Sequence, residues 1–160
     1  MKILITAATK EEISLLNGIK SISHELDFLI TGVGMVSTAY TLTGHLKNNR
    51  YDLAINCGIA GSFDRSIQIG DVVSVKEDIF SELGAEDGND FLSLDQIGLQ
   101  GKNSFKNTFI LKAVPMGILR EVRSITVNTI HGNDLTIKTV KNRFQPQIET
   151  MEGASFFLCL

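Results

Sequence analysis

Short apolar runs, separated by glycine and polar residues, recur along the chain. Runs of this kind, rich in β-branched residues, are typical of strands that are buried on both faces of a parallel sheet. The pattern predicts strands at residues 2–8, 26–31, 53–56, 72–75, 123–129 and 147–150.

Between these strands the apolar residues follow helical spacing. Thr9 can cap a helix in which Ile13, Leu16 and Ile19 share one face. Further helices are predicted at 35–46, 134–143 and 153–160. Strands that alternate with helices indicate an α/β domain around a largely parallel or mixed sheet.

Two segments depart from this alternation. Residues 81–108 are rich in glycine, asparagine, aspartate and serine and have weak periodicity, which predicts a long loop or lid with little regular structure. The chain ends in F-F-L-C-L, within an apolar helical turn, although free termini are usually polar. We expect residues 1–160 to form a single domain that is incomplete at its C-terminus; the alternative is a short natural protein whose last helix packs fully.

Composition and charge narrow the function classes. The 160-residue chain has a net charge of −3, which gives no electrostatic case for nucleic acid or an anionic membrane. No segment approaches the roughly 20 apolar residues of a membrane helix, and the N-terminal run is too short for a signal peptide, so the cytoplasm is the expected location. Cys57 and Cys159 lie in apolar stretches and are expected to be buried thiols. The three histidines show no metal spacing, so no metal site is expected.

Two glycine-rich turns follow predicted strands. T-G-V-G-M-V-S approaches a dinucleotide-binding fingerprint, with Ser37 in place of the third glycine. Asp52 stands at about the right distance for a ribose-binding acid, but it opens a strand where the fingerprint needs it to end one. N-C-G-I-A-G-S is the second turn, at the same sheet edge. Each turn can receive an oxygen-rich group on its backbone amides, but the turn alone favours a tight strand–helix connection without a ligand.

Two carboxylates stand at positions where a charge needs explanation. Glu152 lies between Met151 and Gly153, at the mouth of an apolar helix. Glu12 follows the first strand, at the carboxyl edge that α/β proteins use for their sites. For both, the alternative is an ordinary acid in the first turn of a helix, where it complements the dipole. For Met151 the alternative is core packing.

The order of five stretches resembles a known superfamily. They are A-A-T-K-E-E-I, T-G-V-G-M-V-S-T-A, N-C-G-I-A-G-S-F, I-G-D-V-V and E-T-M-E-G-A-S-F-F. This is the order found in nucleosidases and phosphorylases of the purine nucleoside phosphorylase superfamily, and E-L-G-A-E-D favours the futalosine hydrolase branch. The resemblance implies a nucleoside phosphorylase-like, three-layer α/β/α fold with a central mixed sheet. It also implies hydrolysis of the N-glycosidic bond of futalosine, with release of hypoxanthine, in menaquinone biosynthesis.

The resemblance assigns roles to individual residues. It implies that Glu12 takes a proton from the attacking water, that Glu152 binds the ribose hydroxyls and that Met151 packs on the sugar. The remaining substrate-binding positions that it implies are Gly34, Ile59, Gly61, Thr129 and Ile130, the last two near the purine base. No cofactor is implied. Relatives commonly form homo-oligomers, so a homo-oligomer that binds a small-molecule nucleoside is expected.

The sequence also departs from the family pattern and leaves alternatives open. In the family, an aspartate on a strand–loop after the M-E-G helix assists the leaving base. No residue here matches it, so the chain is expected to be severely impaired or inactive. Ile59 stands where the adenosyl relatives carry serine, which weighs against a methylthioadenosine/S-adenosylhomocysteine nucleosidase. Arg50 and Arg65 are the only arginines near the glycine turns, and neither lies within one, which weighs against a phosphorylase. A dinucleotide-binding module and an inactive remnant are the non-enzymatic alternatives.

Overall fold

The first part of the chain builds a parallel sheet of three strands. The computed structural model describes residues 1–16, 18–19, 23–88, 90–108 and 119–160. Strand β1 spans Lys2–Ala7, β2 spans Glu25–Ile30 and β3 spans Leu53–Asn56. Their order in the sheet is β2-β1-β3, and all pairs are parallel. The carboxyl ends of the three strands therefore meet at one edge.

The later strands build a mixed sheet. Its strands are β4 (Gly61–Ser62), β5 (Val73–Phe80), β8 (Ser104–Lys106), β9 (Arg120–Thr126) and β10 (Ile148–Thr150). Their order is β4-β10-β9-β5-β8. β9 runs parallel to both β5 and β10, whereas β4 and β8 are antiparallel to their neighbours. β6 (Gly84–Asp87) and β7 (Asp90–Ser93) form a separate antiparallel hairpin.

Helices cover both faces of the mixed sheet. α1 spans Met35–Leu46, α2 spans Asp134–Phe144 and α3 spans Gly153–Cys159. On one face, Val140 of α2 packs with Ile125 of β9. On the other, Ala154 of α3 packs with Phe80 and Phe105. The predicted three-layer α/β/α arrangement with a central mixed sheet is thereby confirmed.

The two sheets are joined through a second apolar cluster. Leu4 of β1, Leu42 of α1 and Phe156 of α3 are buried together. Leu4 and Leu42 are both 0% exposed. Burial of side chains of this size contributes roughly 1.5–3 kcal/mol each, so this cluster is a substantial part of what docks the sheets.

The helix predicted after Thr9 is wrong for the described residues. The structure has a short 3-10 helix there, Ser14–Leu16. Thr9 does behave as a cap, since its hydroxyl accepts from the Glu12 N–H at 3.4 Å. Of the predicted apolar face, Ile13 is buried, but Ile19 is 52% exposed, so the face does not continue into the core. Propensity alone does not sustain a helix this short.

The long loop predicted at 81–108 is also wrong in part, because it contains β6, β7 and β8. Asp87 of β6 pairs with Asp90 of β7, and Gly88 follows Asp87 at the turn with φ of 64°. A glycine directly after a strand, with positive φ, is a hairpin signal that weak periodicity concealed. Phe105 of β8 is 4% exposed and anchors that strand in the core.

Some smaller expectations also need correction. β5 continues to Phe80, beyond the predicted end at residue 75. β9 begins at Arg120, before the predicted start at residue 123. Cys57 and Cys159 are free thiols, but both are partly exposed, not buried.

Within the described ranges, no helix is long and apolar enough to cross a membrane, and no group of three or more histidine, cysteine, aspartate or glutamate side chains could hold a metal ion.

Candidate active site

The candidate site lies where the first three strands end. β1 leads to Glu12, β2 leads to the turn at Gly34, and β3 leads to the turn at Gly58–Gly61. Because the strands are parallel, these connections share one edge of the sheet. Loops at the carboxyl ends of parallel strands are the usual place for ligand sites in α/β proteins.

Backbone amides hold the Glu12 carboxylate from two sides. Oε2 accepts a hydrogen bond from the Thr9 N–H at 2.9 Å, and Oε1 accepts one from the Ile59 N–H at 3.2 Å. A Cβ at Gly58 would lie 2.8 Å from Oε1. The glycine therefore leaves the room that this carboxylate occupies.

Glu152 is held at the N-terminus of α1. Its Oε1 accepts a 2.8 Å hydrogen bond from the Gly34 N–H, and its Oε2 accepts a 3.3 Å bond from the Met151 N–H. Burial raises the pKa of Glu152, the bonds from Gly34 and Met151 oppose that rise, and the charge of Glu12 adds to it. The last contribution requires the two carboxylates to be near each other.

One open cavity of about 1700 Å³ contains both carboxylates. Its lining also includes Asn56, Gly58 and Ile59, and the Ile59 side chain is 85% exposed. Gly34 and Met151 reach this group through their hydrogen bonds to Glu152. The structure thus brings Glu12, Glu152 and Ile59 into one cavity.

The other predicted positions are less directly connected. Gly61 lies in β4, paired with Glu149 of β10. Thr129 and Ile130 follow β9 and are exposed. β9 and β10 are parallel, and the Val127 N–H bonds to the Thr150 carbonyl at 3.0 Å, so the loop with Thr129 leaves the same sheet edge as Glu152. Among the described residues, no hydrogen bond joins Thr129 or Ile130 to Glu12 or Glu152.

Sequence reasoning missed the role of Glu149. This side chain is 2% exposed, and its Oε2 lies 2.6 Å from His131 Nδ1 while its Oε1 accepts from the His131 N–H at 3.1 Å. A charged residue inside the buried I-E-T strand is the signal that could have found it, since buried carboxylates need partners.

A second buried carboxylate lies behind the site. Asp78 of β5 is 0% exposed, and burial raises its pKa to about 6. Its Oδ1 accepts from the Thr126 hydroxyl at 2.8 Å, and the same Thr126 oxygen accepts from the Ala154 N–H at 2.7 Å. Within the described residues, Oδ2 has no hydrogen-bond partner. Asp78 and Thr126 therefore fasten the start of α3, directly after Glu152.

Comparison with known proteins gives a sequence relative and a set of structural neighbours. No family model matches the chain. The futalosine hydrolase of Thermus thermophilus is 28% identical over 135 residues, which cover 81% of this chain and 60% of that protein. The chain thus spans about three fifths of the length of the curated relative that it matches. The predicted resemblance to futalosine hydrolase is confirmed.

The solved structures decide the fold. Helicobacter pylori MTAN superimposes with a TM-score of 0.81 at 17% identity, covering 99% of this chain and 82% of that one. The chain has the nucleoside phosphorylase-like fold. A futalosine hydrolase mutant of Helicobacter pylori shares that fold, with a TM-score of 0.81, 16% identity and coverage of 99% and 83%. The 5'-methylthioadenosine/S-adenosylhomocysteine nucleosidase of S. pneumoniae, solved with a transition-state inhibitor, has this fold too, with a TM-score of 0.73, 22% identity and coverage of 99% and 79%.

Proposed function

We propose that this chain is a nucleosidase that hydrolyses the N-glycosidic bond of futalosine and releases hypoxanthine. The observation that carries the proposal is the pair Glu12 and Glu152, two carboxylates from distant parts of the sequence that line one cavity. The similarity to a futalosine hydrolase supports the choice of substrate.

Glu152 suits the sugar side of this reaction. Cleavage of an N-glycosidic bond builds positive charge on the ribose, as in glycoside hydrolysis. A carboxylate that is already fixed by the Gly34 N–H keeps free lone pairs for two hydroxyl donors, and its charge opposes the charge that develops on the ring. In this proposal Met151 packs against the sugar beside it.

Glu12 suits the water side. The Thr9 and Ile59 amides hold its carboxylate in one orientation, which a general base needs. In this proposal Gly34, Ile59 and Gly61 surround the water and the ribose, while Thr129 and Ile130 receive the base. No residue of this chain is assigned as the proton donor to the leaving base.

A product assay separates this proposal from its alternatives. The purified chain is incubated with futalosine, methylthioadenosine or inosine, with and without phosphate, and the released base is measured by chromatography. Slow release of hypoxanthine from futalosine, without a requirement for phosphate, is the expected result, because no residue of this chain is assigned as the proton donor. The phosphate arm is needed because Arg50 and Arg65 line the same large cavity.

Three other outcomes would contradict the proposal. Adenine released from methylthioadenosine alone would indicate the adenosyl nucleosidase, and turnover that requires phosphate would indicate a phosphorylase. If the wild-type chain is no faster than Glu12→Gln on every substrate, the chain is not a nucleosidase.

Assembly and cellular context are also proposals. Val33, Val36 and Tyr40 are 55%, 77% and 85% exposed, and these apolar side chains beside the Gly34 turn support a homo-oligomer that covers them. Light scattering on the purified chain tests this, and a monomer would contradict it. In this proposal the chain acts in menaquinone biosynthesis, because futalosine is its substrate. It does so in the cytoplasm.

A further inference from the structure

The Thr129–Ile130 pair is flanked by two residues that are each held by a carboxylate. Asn128 precedes the pair and His131 follows it. Each flanking residue donates both its backbone N–H and a side-chain N–H to a single carboxylate. The two carboxylates belong to Glu82 and Glu149, which come from different parts of the chain.

Glu149 holds the His131 end. Its carboxylate is buried, and both of its oxygens are used by His131, on the backbone N–H and on Nδ1. Because a carboxylate can only accept, the 2.6 Å contact requires the proton on Nδ1 and so fixes the orientation of the imidazole. A Cβ at Gly61 would lie 3.1 Å from Glu149 Oε1, so Gly61 leaves space for this anchor.

Glu82 holds the Asn128 end. It follows β5, and its Oε2 accepts from Asn128 Nδ2 at 2.6 Å and from the Asn128 N–H at 3.1 Å. Glu82 is exposed, unlike Glu149, so its bonds compete with water. The two hydrogen bonds from Asn128 resist this competition in part, because hydrogen bonds to an ionised acceptor are stronger than those between neutral groups.

The peptide groups between these two anchors are left available. Within the described part of the chain, neither the N–H nor the carbonyl of Thr129 or Ile130 has a hydrogen-bond partner. Both residues are exposed. A short backbone segment that is fixed at each end, with free donors and acceptors between, is suited to the edge of a planar ring that alternates donors and acceptors.

We propose that Glu82 and Glu149 are positioning residues that clamp the loop at both ends and present the Thr129–Ile130 backbone to the 6-oxopurine base. This inference rests on the proposed function and deepens it. The clamp fixes the backbone geometry before the base arrives, which reduces the ordering cost of binding. It acts on recognition of the base and leaves the bond-breaking step to other residues.

The test compares Glu82→Gln and Glu149→Gln with wild type. Each variant removes one negative charge and keeps the side-chain shape. We expect KM for futalosine and the dissociation constant for hypoxanthine to rise together by about tenfold, the scale of one weakened charge-assisted contact, while kcat changes by less than about twofold. Hydrogen exchange should show faster exchange of the Asn128 and His131 amides in the matching variant.

Glu86→Gln is the matched control, since Glu86 lies exposed in the neighbouring hairpin and should leave KM and hypoxanthine affinity unchanged. Glu149 is buried, so a folding defect in its variant would not decide the matter; Glu82→Gln, at an exposed position, then does. Wild-type KM and affinity in a folded variant with faster amide exchange would overturn the clamp. A fall in kcat at unchanged KM would also overturn it. A wild-type chain that neither binds hypoxanthine nor cleaves futalosine would overturn the proposed function itself.

Discussion

The carboxylate of Glu152 accepts a 2.8 Å hydrogen bond from the N–H of Gly34, 118 positions away. Gly34 is the residue before α1, and Glu152 is the residue before α3. The start of one helix is thus bonded to the residue that begins the other. A negative charge at the N-terminus of α1 is also favoured by the helix dipole, typically by about 0.3–1 kcal/mol.

Gly34 owes this geometry to a backbone conformation that other residues avoid. Its φ is 90°, so Gly34→Ala should lower the free energy of unfolding by about 1–2 kcal/mol and weaken the hold on Glu152. Urea unfolding measures the effect. Gly44→Ala is the control: Gly44 lies in α1 with open space around its Cβ position, so this change should raise stability by about 1 kcal/mol. Equal losses in both variants would contradict the explanation.

Gly58→Ala should damage activity more than stability. The new Cβ would lie 2.8 Å from Oε1 of Glu12, a flexible carboxylate that can move away. We expect kcat to fall by about 10²-fold, as for a misplacement of about 1 Å, because the base no longer points at the water. The urea midpoint should stay near that of wild type. A variant with normal kcat would show that the position of Glu12 is not needed for catalysis.

Asp78 should make the protein less stable as pH rises. Its pKa is about 6 in the folded protein against an ordinary value of 3.8, so the folded state binds the proton more tightly. The free energy of unfolding therefore falls as pH rises from 3.8 to about 6, and it stays lower above that range. Asp78→Asn cannot ionise, and it should be more stable than wild type by about 3 kcal/mol at neutral pH.

The difference between Asp78→Asn and wild type should disappear below about pH 4, where Asp78 is protonated in both states. Denaturant unfolding across the pH range measures it. Asp95→Asn, which removes a carboxylate from an exposed position, is the control variant. If Asp78→Asn were instead destabilising at neutral pH and that loss vanished at low pH, the buried carboxylate would have to be ionised and stabilised in the folded protein.

The electrostatic link between the two site carboxylates can be measured directly. Glu12→Gln removes a like charge, so the pKa of Glu152, which is raised mainly by burial, should decrease. Carbon-13 NMR titration of the Glu152 side chain measures this. Glu11→Gln is the control, because Glu11 is exposed and does not contribute to the pKa of Glu152. An unchanged titration in Glu12→Gln would mean that the two carboxylates are too far apart to share a substrate.

Local patterns made much of the fold predictable. The strand 53–56 and the helix 35–46 lie where their apolar spacing placed them, because neighbouring residues decide those elements. The positions of Glu12 and Glu152 at sheet edges also followed from strand order. By contrast, β8 was missed because it is held by pairing with β5, a contact between residues far apart in sequence.

The partners of buried charges were the least predictable feature. Nothing local indicates that Glu149 bonds to His131, or that Asp78 bonds to Thr126, 48 positions away. Such pairs depend on which strands become neighbours and which faces their side chains occupy. A sequence shows that a buried acid needs a partner, but the partner is chosen by the assembled sheet.

Glu12 follows β1 of the three-stranded sheet, and Glu152 follows β10 of the five-stranded sheet. Their separation is therefore set by how two independently paired sheets are docked, through Leu42 and Phe156 among others. A slight rotation of one sheet against the other would change the gap between the carboxylates while leaving the strand pairing of both intact. Substitutions deep in that apolar seam can thus alter the reaction without touching any residue that meets the nucleoside.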